Sequence, residues 1–348
     1  MKIMSRIGLL LLSLAVGIGV AHARGFTIAS WGGNYQDHQR ETQFAPFGEL
    51  VGIEVLEDNY QGGWGQFQAM QDTGVVPFDV VQIEAAEANR ACEEGILVEL
   101  DWSRIAAKDS LVPLAVHDCG LGQTSWATVV TYNEDTIGEA PTQAEDFWNI
   151  DKWPGKRGLR KGPKFNMEFA LMADGVAPED VYDVLSAEGG VDRVFNKMSE
   201  IKDLIVWWTG GAQPGEMVTS GEVTMSMGYS NRIANERAAG KPEGFFWDGN
   251  LNGMDYWVIL AKSEHIDTAY KWLAYYATPE PQIAFTLLEP LGPTSLAAWD
   301  SIPADQMAVL PNPDAATMGV FTGDPTGIEF WVDNIQELSE RWEAWIGQ

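Results

Sequence analysis

Cysteine is nearly absent: the 348 residues hold two, Cys92 and Cys119. Histidine is as scarce, and beyond residue 23 only His38, His117 and His265 occur, far apart. A zinc centre draws its ligands from clustered Cys and His, so no metal site and no cofactor is expected. Basic residues are in deficit, 22 against 50 acidic, for a net charge of −28. An acidic surface repels phosphate backbones, which argues against a nucleic-acid partner. The charge reads first as solubility. Attraction of cationic solutes is the weaker reading, because salt screens fields beyond about 10 Å. No Gly-x-Ser-x-Gly elbow, His-Glu-x-x-His pair or P-loop occurs, so the expectation is a protein that is not an enzyme. Beyond residue 20 no apolar run reaches the length of a membrane span.

What is there begins with an export signal. Lys2 and Arg6 precede the uncharged apolar run Ile7 to Val20, and Ala21-His22-Ala23 follows with small residues at its first and third positions. That layout predicts a cleaved signal peptide over residues 1–23 and a periplasmic protein, the alternative being an uncleaved anchor. About 325 remaining residues are too many for one compact core and predict two domains. In an oxidising compartment an even cysteine count predicts a Cys92–Cys119 disulfide, which contributes on the order of 3 kcal/mol. Two buried thiols are the alternative.

Hydrophobic periodicity alternates between strands and helices. Strands are expected at Phe26 to Ser30, Gly52 to Asn59, Pro77 to Ile83, Trp126 to Tyr132, Leu204 to Trp208, Val223 to Met227 and Tyr256 to Leu260. Helices are expected at Gln36 to Leu50, broken by Pro46, and at Glu84 to Glu94, Phe165 to Ala173, Thr268 to Ala277 and Glu337 to Trp345. This alternation implies an α/β fold with a parallel-type sheet covered on both faces. The stretch Lys156 to Lys161 is the one local reversal of charge.

Aromatic residues recur where strands end: Trp31 and Tyr35, Trp207-Trp208 beside Gly210-Gly211, Tyr229, and Trp257 beside Asp255. In open α/β sheets ligands bind beyond the carboxyl ends of strands. An ammonium over an aromatic face gains about 0.5–2 kcal/mol, and a carboxylate fixes the charged end. Any one of these rings taken alone is more often core packing than a ligand contact.

Blocks in fixed order carry a resemblance. Ser30-Trp31-Gly32-Gly33-Asn34-Tyr35, Pro77-Phe78-Asp79-Val80-Val81, Trp207-Trp208-Thr209-Gly210-Gly211, Gly253-Met254-Asp255 and Pro290-Leu291-Gly292-Pro293-Thr294-Ser295 together resemble spermidine/putrescine-type periplasmic binding proteins of ABC importers. The resemblance implies a two-lobed, type II-like α/β protein with the ligand in a cleft between the lobes. It also implies hinge closure read by an inner-membrane ABC permease, and a monomer. It places lobe 1 at 24–133 plus 258–298 and lobe 2 at 134–257 plus 299–348, with the chain crossing near Tyr132–Asn133, Trp257 and Ala298. It implies aromatic contacts at Trp31, Tyr35 and Tyr229 and an amine-binding carboxylate at Asp255, whose alternative is a turn residue. Glu84, Trp208, Arg232 and Trp257 complete the candidate ligand-binding set.

Three departures bear on the ligand. Gly162-Pro163-Lys164-Phe165-Asn166 lacks the acid that polyamine binders often carry there, and the direction of Glu168, one turn on, is open. Gly253 stands where the family has a Trp. Arg232 follows Tyr229-Ser230-Asn231; it either faces the cleft, where it would bind a carboxylate, or pairs with Glu236 at i+4. The first expectation is therefore a polyamine such as putrescine or spermidine, or a related small amine. The alternative is a zwitterionic ω-amino acid. A ferric-ion carrier built on Tyr275-Tyr276 and a secreted hydrolase are further alternatives.

Overall fold

A computed structural model describes residues 24–60 and 62–347. The expected signal peptide lies outside the described residues. The chain opens with β1 (Thr27–Ser30), α1 (Gly33–Gln39), a π-helical turn (Arg40–Phe44), α2 (Ala45–Val51), β2 (Leu56–Asn59), α3 (Trp64–Thr73), β3 (Val80–Glu84) and α4 (Ala85–Glu93). Pro46 does not break the first helical stretch. It sits in the first turn of α2, where its missing N–H costs least, just after the π turn. β4 (Val116–His117) leads into the long β5 (Gly120–Asn133). The second unit follows as β6 (Arg157–Arg160), α5 (Asn166–Ala173), α6 (Val181–Ser186), α7 (Gly190–Ser199), β7 (Ile205–Trp208), α8 (Gln213–Thr219), β8 (Met225–Tyr229) and α9 (Ser230–Ala238). β9 (Glu243–Ile259) returns the chain to α10 (Ile266–Tyr276) and α11 (Pro279–Leu288), and β10 (Gly319–Phe321) precedes a C-terminal helix, Pro325–Ile346.

The strands run in the order β2-β1-β3-β9-β5-β8-β6-β7, with β10 on β9 and β4 on β5. The expected parallel pairing is found at the two flanks, where β2-β1-β3 and β7-β6-β8 are parallel, and where the short β10 joins β9. The centre is antiparallel: β9 pairs β3 and β5, and β5 pairs β8. β9 spans 17 residues, yet only its last four read as strand in sequence. Gly244, Gly249 and Gly253 and the interleaved Asn250 and Asn252 imitate turn chemistry.

Two hydrophobic cores lie on either side of this centre. The first gathers Phe44, Phe47, Tyr60, Phe67, Trp257 and Trp272 under α1–α4, α10 and β3. The second gathers Phe147, Phe169, Val194, Trp331 and Trp342 under α5–α7 and the C-terminal helix. Leu121 belongs to the first core and Val130 to the second; Leu251 belongs to the second and Met254 to the first. The change of core therefore falls inside β5 and β9, ahead of the expected crossings at Tyr132–Asn133 and Trp257. Cys92 in α4 and Cys119 before β5 form a disulfide with 5.7 Å between Cα atoms, fastening the first core. Among the described residues no helix is long and apolar enough to cross a membrane.

Candidate functional site

A cavity of about 700 Å³ opens where the carboxyl ends of β1, β3, β6, β7 and β8 meet the centre of β9. Trp31, Tyr35, Glu84, Trp208, Tyr229, Arg232 and Asp255 all line it. The eighth candidate, Trp257, does not. It shares a strand face with Asp255 but lies two residues deeper, where Phe44, Trp272 and Tyr276 cover it completely. Trp257 is a core residue.

Asp255 is the most closely held group in the site. It is 5% exposed. Its Oδ2 accepts from Trp31 Nε1 at 2.7 Å and from Gln82 Nε2 at 2.7 Å, and its Oδ1 accepts from Trp126 Nε1 at 2.9 Å. All three donors are neutral, so the charge has hydrogen bonds but no counter-ion. Burial, reinforced by the neighbouring Glu84 carboxylate, raises the Asp255 carboxyl from 3.8 to about 7; the three donors pull the other way.

A polar network beneath this wall fixes Gln82. Its Oε1 accepts from Ser30 Oγ at 2.9 Å and from Gln39 Nε2 at 2.8 Å. Its Nε2 also reaches the Tyr35 hydroxyl at 2.8 Å and Gln123 Oε1 at 2.9 Å. Gln123 sits at a register shift between Gly122 and Thr124, a bulge that re-aims its side chain toward Tyr35. Burial pushes the Tyr35 phenol well up. Glu84 ends β3 directly opposite Asp255 on β9 and has no hydrogen-bond or ion-pair partner among the described residues.

The facing wall belongs to the second unit and is rich in donors; its one carboxylate among the described residues, Glu236, is paired with Lys241. Tyr229 stands edge-on to Trp208, with centroids 6.2 Å apart, and to Trp126 at 6.3 Å. Burial raises the Tyr229 phenol, while the guanidinium groups of Arg160 and Arg232 lower it. Arg232 does not pair with Glu236, which instead takes Lys241 at 2.6 Å. Arg232 and Arg160 both line the cavity without an acidic partner among the described residues. Arg160 lies over the Phe165 ring at 5.2 Å. Trp208 is 2% exposed, and its indole N–H is unpartnered.

Two cavity residues of consequence escaped the sequence. Arg160 was hidden in the basic stretch, whose members diverge. Arg157 is buried and donates to the carbonyls of Phe147 and Trp153, Lys161 pairs with Glu343 at 3.3 Å, and only Arg160 reaches the cleft. Trp126 was hidden in a strand. Its signal was Gly253, the register partner of Trp126 across β5 and β9: a side chain on Gly253 would collide with the Trp126 ring. The indole missing from one strand is supplied by the other.

Glu168, whose direction the sequence left open, points into the second core. It accepts from Trp331 Nε1 at 2.7 Å, Tyr182 Oη at 3.2 Å and the Phe165 N–H at 2.8 Å. It brings no carboxylate to the cleft. Of the Tyr275-Tyr276 pair, Tyr276 is buried with its hydroxyl donating to the Gln123 carbonyl. Among the described residues no cluster of three His, Cys, Asp or Glu side chains could hold a metal.

A cleft between two units, with unpaired carboxylate on one wall and unpaired guanidinium groups on the other, is the architecture of a binding protein for small charged solutes. The chain belongs to the bacterial extracellular solute-binding protein family, whose model matches residues 42–311. It is 36% identical over 346 residues to the gamma-aminobutyric acid-binding protein of Pseudomonas aeruginosa, covering 99% of this chain and 97% of that one. A solved GABA receptor superposes with a TM-score of 0.80 at 28% identity, covering 93% of this chain and 98% of that one. The binding protein MotA of A. tumefaciens B6, in complex with glucopine, superposes at 0.79 with 26% identity, covering 93% and 100%. A spermidine/putrescine binding protein from Streptococcus pneumoniae shares the fold at 0.76 with 16% identity, covering 92% and 99%.

Proposed function

We propose that this chain is the periplasmic component of an ABC importer and that its solute is a short ω-amino acid of the 4-aminobutyrate type, not a polyamine. The observation that carries the reading is the opposition of Arg160 and Arg232 to Asp255 and Glu84 in one cavity. A diamine would bring a second ammonium against two unpaired guanidinium groups, and like charges disfavour that complex. A zwitterion meets opposite charge at both ends. Its carboxylate accepts from the arginines, its methylene chain packs on Trp31, Trp126 and Tyr229, and its ammonium reaches the acid wall. The sequence relationship to a GABA-binding protein supports the same choice.

Calorimetric titration with 4-aminobutyrate, putrescine and spermidine tests it. Binding is expected for 4-aminobutyrate and at least tenfold weaker binding for the two polyamines. A polyamine that binds more tightly overturns the reading. A thermal-shift screen across amino acids then fixes chain length, since ligand at 100 times its Kd stabilises by about 2.7 kcal/mol.

A further inference from the structure

The acid wall holds one carboxylate more than a single ammonium requires. An ionised carboxylate offers about four lone-pair positions. Trp31, Gln82 and Trp126 occupy three on Asp255, which leaves one for the solute. A primary ammonium carries three N–H donors, so Asp255 alone would leave two without a charged partner. Glu84 stands opposite Asp255 in register, lines the same cavity and is partnerless among the described residues.

We propose that Glu84 is the second anchor of the ammonium and makes the site select an unsubstituted –NH3+ end over an N-alkylated one. This rests on the ω-amino acid reading of the cleft. A trimethylammonium end has the same charge and a comparable fit to the aromatic faces, but no N–H. Glu84 would then face it with no donor and Asp255 with its fourth position unfilled, and a desolvated polar group without a partner is costly.

The same pair gives a readout independent of any ligand. Two adjacent carboxylates with no cation between them do not both ionise freely. Burial raises the neighbouring Glu87 carboxyl and the positive charge of Lys164 lowers it; the other titratable groups near the pair do not relieve the crowding. Tyr35 on α1 and Tyr276 on α10 are buried phenols beside Asp255, and Glu87 on α4 adds a further acid beside Glu84. His38 and Glu289 are paired with each other at 2.7 Å, and the cations Arg160 and Arg232 belong to the facing wall. Burial, and after it the Glu84 carboxylate, raises the Asp255 carboxyl to about 7, so the empty site favours a proton there below that pH. An entering ammonium expels that proton to solvent.

Calorimetry should compare 4-aminobutyrate with 4-(trimethylammonio)butanoate on the wild type and on Glu84→Gln. Wild type is expected to prefer the primary amine by about a hundredfold. Glu84→Gln should weaken 4-aminobutyrate by about tenfold or more, leave the trimethyl compound nearly unchanged, and so narrow the preference. An unchanged preference in Glu84→Gln overturns the proposal. In ligand-free protein, the indole N–H resonances of Trp31 and Trp126 report the protonation of Asp255. Their midpoint near pH 7 should move toward acid in Glu84→Gln, and an unmoved midpoint also overturns the proposal. If 4-aminobutyrate fails to bind the wild type, the proposed function falls, and the ligand-free midpoint alone decides the role of Glu84.

Discussion

The two walls of the cleft are opposites in chemistry and in wiring. On the first, every polar atom of Asp255 is held by a neutral donor, and Gln82 behind it is held in turn by Ser30 and Gln39. On the second, Arg160, Arg232 and the Trp208 indole N–H have no partner among the described residues. On the first wall Asp255 is pre-organised, with Glu84 beside it partnerless among the described residues, and the second wall is adaptable. Pre-organised acceptors confer selectivity for the ammonium, because anything that cannot donate leaves a buried charge uncompensated. Adaptable guanidinium groups tolerate differences in the length and shape of the anionic end.

The largest expected effect is at the wired wall. Asp255→Asn keeps the shape and removes the charge, so 4-aminobutyrate affinity should fall by about 2–5 kcal/mol in calorimetry. Binding within threefold of wild type would show that the ammonium sits elsewhere. The two units beneath the walls should also separate in stability, since only the first carries the disulfide. Reduction, or replacement of Cys92 and Cys119 by Ser, should remove about 3–4 kcal/mol. Denaturant unfolding should show the first core melting earlier; a uniform shift of both cores would break the comparison.

At the adaptable wall, Arg232→Gln should weaken 4-aminobutyrate by about 1.5–3 kcal/mol and leave putrescine unchanged or tighter. Equal weakening of both ligands would point to a structural role for Arg232. The smallest effect concerns the empty protein. The Asp255 carboxyl is raised to about 7 on folding. The folded form then binds more protons between about pH 4 and 7, so the stability this group lends is present at low pH and lost as pH rises through 7. Asp255→Asn should therefore raise the melting temperature at pH 8, by the equivalent of about 1–2 kcal/mol, and change it little at pH 4. Solute affinity has the opposite dependence and falls as pH drops below 7.

How far the sequence reached differs between the same two walls. Trp31, Tyr35, Glu84, Trp208, Tyr229 and Arg232 lie at or soon after strand ends, where local hydrophobic pattern and turn chemistry mark them, while Asp255, inside β9, was marked by the family resemblance. Trp126 and Arg160 depend on which strand lies beside which. Register between β5 and β9 is a long-range property that no local period encodes. Trp257 failed for the complementary reason. Its neighbour Asp255 faces the cavity, but two residues along the same strand the helices close over it. The parallel flanks were legible from alternation, whereas the antiparallel centre was not, because the Gly and Asn residues of β9 look like loop.

The two register shifts between β5 and β9, at Gly122/Thr124 and at Thr128/Val130, bracket the stretch where the strands pass from one core to the other. An unbroken antiparallel ladder resists torsion along its whole length, because each step is clamped by hydrogen bonds. A bulge leaves one residue unclamped and lets the local twist change. The pair of long strands is thus a stiff bar with a compliant joint at each end of a five-residue middle. A rotation of one unit against the other would concentrate at those joints. Asp255 lies opposite Thr124 and Tyr229 opposite Thr128, so each wall of the cleft is anchored at one of the two joints.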